Sequence, residues 1–210
     1  TLKVDNLQTR NGTALITDGV ATTNLVSTTT LKNADMEMVK LSTQTASGAS
    51  SVAFGSSVIT TDYEQYVIKC TKLIPSATAS LYMQLAPDNN STYDTANYYS
   101  GYGGYGASDT TGSSGASYVS NGSYWNTGNL LLHTPSTKAK QDITIRLINP
   151  MDSAVFTTAY TDVVKYYSGG NHYWFPLVHQ HQDAAAFNSF KLYMSSGTFS
   201  GRFTVYGVQV

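Results

Sequence analysis

From about residue 41 onward, apolar and polar positions alternate with a period of two, the pattern of strands that keep one face in a core. In YEQYVIKCTKL, Tyr66, Ile68 and Cys70 share a face, and in ASLYMQLA so do Leu81, Met83 and Leu85. The pattern returns in Ile143, Ile145 and Leu147 against Asp142, Thr144 and Arg146. It returns again in Phe190, Leu192 and Met194 against Lys191 and Tyr193, and in Phe203 and Val205 against Arg202, Thr204 and Tyr206. VFTTAYTDVVKYY and NHYWFPLVHQHQ are also strand-like; Pro176 in the second has no N–H to donate, which predicts an edge position or a bulge. At least eight strands separated by polar turns predict an all-β fold, a jelly-roll-like antiparallel β-sandwich. DAAAFNSF is the one helical hint, with Asp183 placed to cap a single turn.

Two segments depart from this rhythm. Residues 1–40 hold the short pieces LKV, TALIT and TNLVSTTTL, separated by Asn-Gly and Asp-Gly, dipeptides that supply the positive φ of tight hairpins. Strands this short bury no core of their own, so 1–40 is read as an extended N-terminal attachment arm and 41–210 as the sandwich domain. Residues 87–125 are rich in Gly, Ser, Asn and Tyr with no sustained apolar face, and read as one long loop. A plain flexible linker has no need of Tyr93, Tyr98, Tyr99, Tyr102, Tyr105, Tyr118, Tyr124 and Trp125, so the loop is a recognition candidate.

Composition narrows the class. Charged residues make up 12% of the 210, about half the roughly 25% usual in soluble domains, while Thr and Ser number 28 and 24. A net charge of −1 leaves no positive excess for a phosphate backbone, and no apolar stretch is long enough to span a bilayer as a helix. Neither a nucleic-acid partner nor membrane insertion is expected, and the start TLKVDNLQTRNGT does not read as a signal peptide. The single cysteine, Cys70, excludes an internal disulfide and reads as a small buried hydrophobe.

The candidate chemistry is sparse. GYGGYG at residues 101–106 matches the letters of the dinucleotide fingerprint, but that fingerprint works only between a strand and a helix N-terminus. Hydrolase elbow, P-loop, zinc-protease and EF-hand motifs are missing from the sequence, so no enzyme is expected. His179 and His181 would share one side of a strand, read as solvent or a subunit interface rather than a metal pair, with His133 and His172 distant in sequence. Asp88, Asn89, Asn90 and Asp94 could offer oxygens to calcium, yet turn-forming Asx residues account for the cluster; no metal and no cofactor are expected.

The opening LKVDNLQTRNGTALIT, the central run SSVAFGSSVITTDYEQYVIKCTKLIPSATASLYMQL with its D-Y-x-x-Y at Asp62–Tyr66, and the ending FNSFKLYMSSGTFSGRFTVYGVQV resemble virion appendage proteins of tailed bacteriophages, the marine phage type in particular. The resemblance implies a tail-fibre, spike or head-decoration module on the virion, assembled as a homotrimer and attached to other virion proteins through residues 1–40. It also implies a host-surface glycan or protein as partner, and Tyr98, Tyr99, Tyr102, Tyr105 and Trp125 become the candidate contact residues. A capsid decoration protein without a receptor, a free carbohydrate-binding module and, last, a depolymerase remain the competing readings.

Overall fold

The computed structural model describes residues 6–8, 14–17, 20–21, 38–107, 112–127, 141–166 and 172–208, with side chains at 38–101, 122–127, 141–163 and 176–208. The chain divides into two compact units, Thr1–Val39 and Lys40–Val210. In the first, β1 (Asn6–Gln8), β2 (Ala14–Thr17) and β3 (Val20–Ala21) form a three-stranded antiparallel sheet in that order, Leu7 opposite Ile16 and Ile16 opposite Ala21.

The second unit is a β-sandwich. Its strands are β4 (Met38–Ala49), β5 (Ser51–Phe54), β6 (Gln65–Pro75), β7 (Leu81–Ala86), β8 (Tyr98–Ala107), β9 (Gly112–Gly122), β10 (Gln141–Ile148), β11 (Thr157–Tyr166), β12 (His172–His181), β13 (Ser189–Met194) and β14 (Phe199–Val208). Among the described residues, eight pair in the order β4-β14-β6-β10-β11-β12-β8-β9 and three in the order β5-β13-β7. No described residue is helical: in DAAAFNSF the Phe187 side chain is buried and its N–H bonds Pro150 O at 2.6 Å, so packing holds the segment extended.

Two sequence expectations change here. Residues 87–125 are largely not a loop, because β8 and β9 pair as an antiparallel hairpin from Tyr98↔Gly122 to Ala107↔Gly112. GYGGYG therefore lies in a strand followed by another strand, without the helix that a dinucleotide site requires. Pro176 is neither at an edge nor in a bulge: β12 lies between β11 and β8, and its register on β8 runs unshifted from Tyr173↔Gly106 to His181↔Tyr98.

The core is filled by the positions that alternation marks. Tyr66, Ile68, Cys70, Ile143, Ile145, Leu147, Phe203 and Val205 from the large sheet face Leu81, Met83, Leu85, Phe190, Leu192 and Met194 from the small one, all buried. Alternation in β6 skips a residue after Cys70. Lys72, at φ 55, forms a bulge whose N–H bonds Asp142 Oδ1 at 2.9 Å, which turns Leu73 inward and keeps the Lys72 ammonium in solvent. Near the C-terminus the packing is tight enough to require glycine: a Cβ on Gly207 would stand 2.6 Å from the ring of the buried Tyr63. Gly207→Ala should lower the urea-unfolding stability by about 1–3 kcal/mol, the usual cost of overpacking, and Tyr63→Leu in the same chain should restore part of it. An unchanged midpoint would show that the Tyr63 ring is free to move aside.

Candidate functional site

The five residues singled out from sequence do not form one surface. Tyr98 and Trp125 are fully buried, which removes them as receptor contacts, since a ring without exposed area has none to offer a ligand. Trp125 is held by reciprocal backbone bonds with Met83, both 2.9 Å, beside β7. Tyr98 reaches from the large sheet to the small one, its hydroxyl accepting the Leu85 N–H at 2.8 Å. Tyr99 is half-buried opposite Gln180. Tyr102 and Tyr105 occupy β8 positions opposite Leu177 and Trp174, and their side chains lie outside the described residues, as does His133.

Around Tyr98 and Trp125 is a buried polar cluster. His179 and His181 do share one side of β12, but it is the core side and not solvent, because Leu177 two residues earlier sets that face inward. His179 Nδ1 lies 2.8 Å from Ser100 Oγ, its ring is 5.8 Å from that of Trp125, and burial pushes its pKa down to about 3. The His181 ring meets Tyr98 at 4.6 Å and Phe187 at 4.7 Å, edge to face. Its Nδ1 accepts the Asp183 N–H at 3.3 Å, and its Nε2 lies 3.0 Å from Asp94 Oδ2. Among the described residues no three His, Cys, Asp or Glu converge as metal ligands. In the Asx cluster at 88–94, Asp88 Oδ1 accepts the Thr92 N–H of its own turn at 2.8 Å and Asn89 Oδ1 accepts the Ser56 N–H of a neighbouring turn at 2.8 Å.

The better candidate is the outer face of the three-stranded sheet. Alternation that turns Leu81, Met83, Leu192 and Met194 inward turns Tyr82, Lys191 and Tyr193 outward, with Tyr82 opposite Tyr193 and Gln84 opposite Lys191. Two flanking segments close over this face. Gln84 Nε2 donates to Ser123 O at 2.8 Å and to Asp94 O at 3.3 Å, which places Tyr124 and Tyr93 beside the strand residues. Tyr82 and Tyr124 stack at 3.8 Å, and Tyr193 meets both edge to face at 5.5 and 6.4 Å. Lys191 Nζ sits 3.9 Å from the Tyr93 ring centre and 5.1 Å from that of Tyr193, a cation held by two π faces.

Each of these five side chains is half-buried. Burial, then the Tyr124 hydroxyl, raises the Tyr82 pKa to about 12; burial, then Tyr124 and Tyr82, does the same for Tyr193. Burial also raises Tyr93 and lowers Lys191. The face presents phenol rings and hydroxyls around one lysine, a surface suited to the C–H faces and hydroxyls of a sugar and to an anionic substituent. A separate cavity of about 530 Å³ lies against Tyr63, Glu64, Asn149 and Asp152, without a comparable aromatic wall.

No family model matches the chain, and comparisons with curated proteins and with solved structures return no match.

Proposed function

We propose that this chain is a non-catalytic structural protein of a tailed-bacteriophage particle that assembles with copies of itself, is attached to the virion through residues 1–40, and recognises carbohydrate on the host surface. The observation that supports the recognition role is the tyrosine face with its single ammonium on the outside of the three-stranded sheet, formed by Tyr82, Tyr93, Tyr124, Tyr193 and Lys191. A rigid ring cluster loses little conformational entropy when it engages a ligand. Recognition thereby moves from the interior residues Tyr98 and Trp125 to their neighbours on the outer surface.

Two measurements test the reading. Antibody labelling of purified particles of the encoding phage should mark the tail; label confined to the head favours a decoration protein, and no label sinks the virion assignment. The purified full chain should bind a bacterial surface polysaccharide, and Tyr124→Ala and Lys191→Ala should each weaken it about tenfold, roughly 1.4 kcal/mol, with circular dichroism unchanged. Binding that survives both substitutions would remove this face from recognition.

A further inference from the structure

The large sheet ends in two different edges. At one, β4 carries Lys40, has Gly48 at φ 64 with its N–H on Ser200 Oγ at 3.0 Å, and runs directly on into β5 of the other sheet. These are the ordinary guards of a sheet edge: a charge, a kink and an early exit. At the other edge, β9 runs for eleven residues with no Lys, Arg, Asp, Glu or Pro, and its neighbour β8 has none either. Among the described residues, nothing pairs with the far side of β9. A long, uncharged edge strand is a template for another strand.

The sequence of β9 indicates which strand that is. Laid antiparallel on itself about Ser117, GSSGASYVSNG puts Gly112 opposite Gly122, Ser113 opposite Asn121 and Ser114 opposite Ser120. Inside these, Gly115 faces Val119 and Ala116 faces Tyr118, so each bulky residue meets a small one and no like charges meet. All eleven residues pair in this register, and only Ser117 meets its own copy.

We infer that β9 is the self-association edge of this protein: two copies pair β9 with β9 in antiparallel fashion around Ser117, joining their eight-stranded sheets across a two-fold axis. The contact is isologous, with the same strand serving both sides. It differs from the three-fold assembly that the resemblance implies, and it uses neither residues 1–40 nor the tyrosine face.

Cysteine scanning of the full chain tests the register. Opposed residues of an antiparallel pair have Cα atoms about 4.5–5.5 Å apart, within the span a disulfide bridges. Ser117→Cys should therefore give a covalent dimer under mild oxidation. Ser113→Cys should not, because its copy would lie roughly 25 Å away along the strands. Cys70 is buried and does not compete. Sedimentation of the reduced protein should show a dimer, and Ser117→Lys, which sets two ammonium groups against each other on the axis, should shift it to monomer while polysaccharide binding is retained. A monomeric wild type, an assembly whose mass Ser117→Lys leaves unchanged, or equal cross-linking at positions 113 and 117 would each overturn the inference.

Discussion

Trp125→Ala is expected to destabilise the sandwich by about 3–5 kcal/mol, the range for deleting a large buried aromatic, and to lower the melting temperature by roughly 10 °C. The indole has no exposed area, lies edge to face with Tyr98 at 5.6 Å, and lies tilted over His179 at 5.8 Å. It wedges between the sheets where Tyr98 ties one to the other through Leu85. Removing it leaves a void beside two polar rings, and Thr127, whose hydroxyl donates to Leu81 O at 3.1 Å, loses the anchor two residues before it. Trp125→Phe keeps a ring in place and should cost about 1–2 kcal/mol. Tyr124→Ala, one residue earlier but half-buried, should cost less than either, and urea denaturation of the three variants ranks them directly. A Trp125→Ala chain with wild-type stability and no polysaccharide binding would return Trp125 to the ligand surface and refute the assignment made from its burial.

The contrast between Tyr124 and Trp125 also marks how far sequence reasoning reaches. Strands such as β6, β10, β13 and β14 are legible because alternation between large apolar and polar residues fixes both the element and its inner face. The β8–β9 hairpin is not, because Gly, Ser and Tyr at every second position mark no face; pairing with β12 makes it a strand. Pro176 misleads for a related reason: the missing N–H argues against an interior strand, yet β12 pairs with β11 along its whole length and with β8 on both sides of Phe175 and Pro176, which have no β8 partner. For the site, aromatic density drew attention to 87–125, where burial claims Tyr98 and Trp125 for the core. Tyr82, Lys191 and Tyr193, by contrast, occupy the off-core positions of strands whose alternation marks the core face. His179 and His181 show the remaining gap: a period of two puts them together, and only Leu177 in the same register says that their shared side is the inner one.

That inner placement makes the protein acid-sensitive. His179 is neutral in the folded state because burial holds its pKa near about 3, whereas an unfolded histidine titrates near 6.5. Below about pH 6.5 the unfolded chain binds a proton that the folded chain does not, so stability falls as the pH falls. The stabilisation is complete above the unfolded pKa and is lost progressively on the way down to the folded one. At about 1.4 kcal/mol per pH unit, one such group removes roughly 2–3 kcal/mol between pH 7.5 and 4.5. Comparison with a chain that lacks this ring separates its contribution from that of every other group. His179→Gln keeps a polar group near Ser100 Oγ and removes the titration. Urea unfolding of both proteins at pH 7.5 and 4.5, at constant ionic strength, should show the wild type losing roughly 2–3 kcal/mol more than the variant. Equal losses in the two chains would mean that the His179 ring takes up its proton without unfolding, which its contacts with Ser100 and Trp125 give it no room to do.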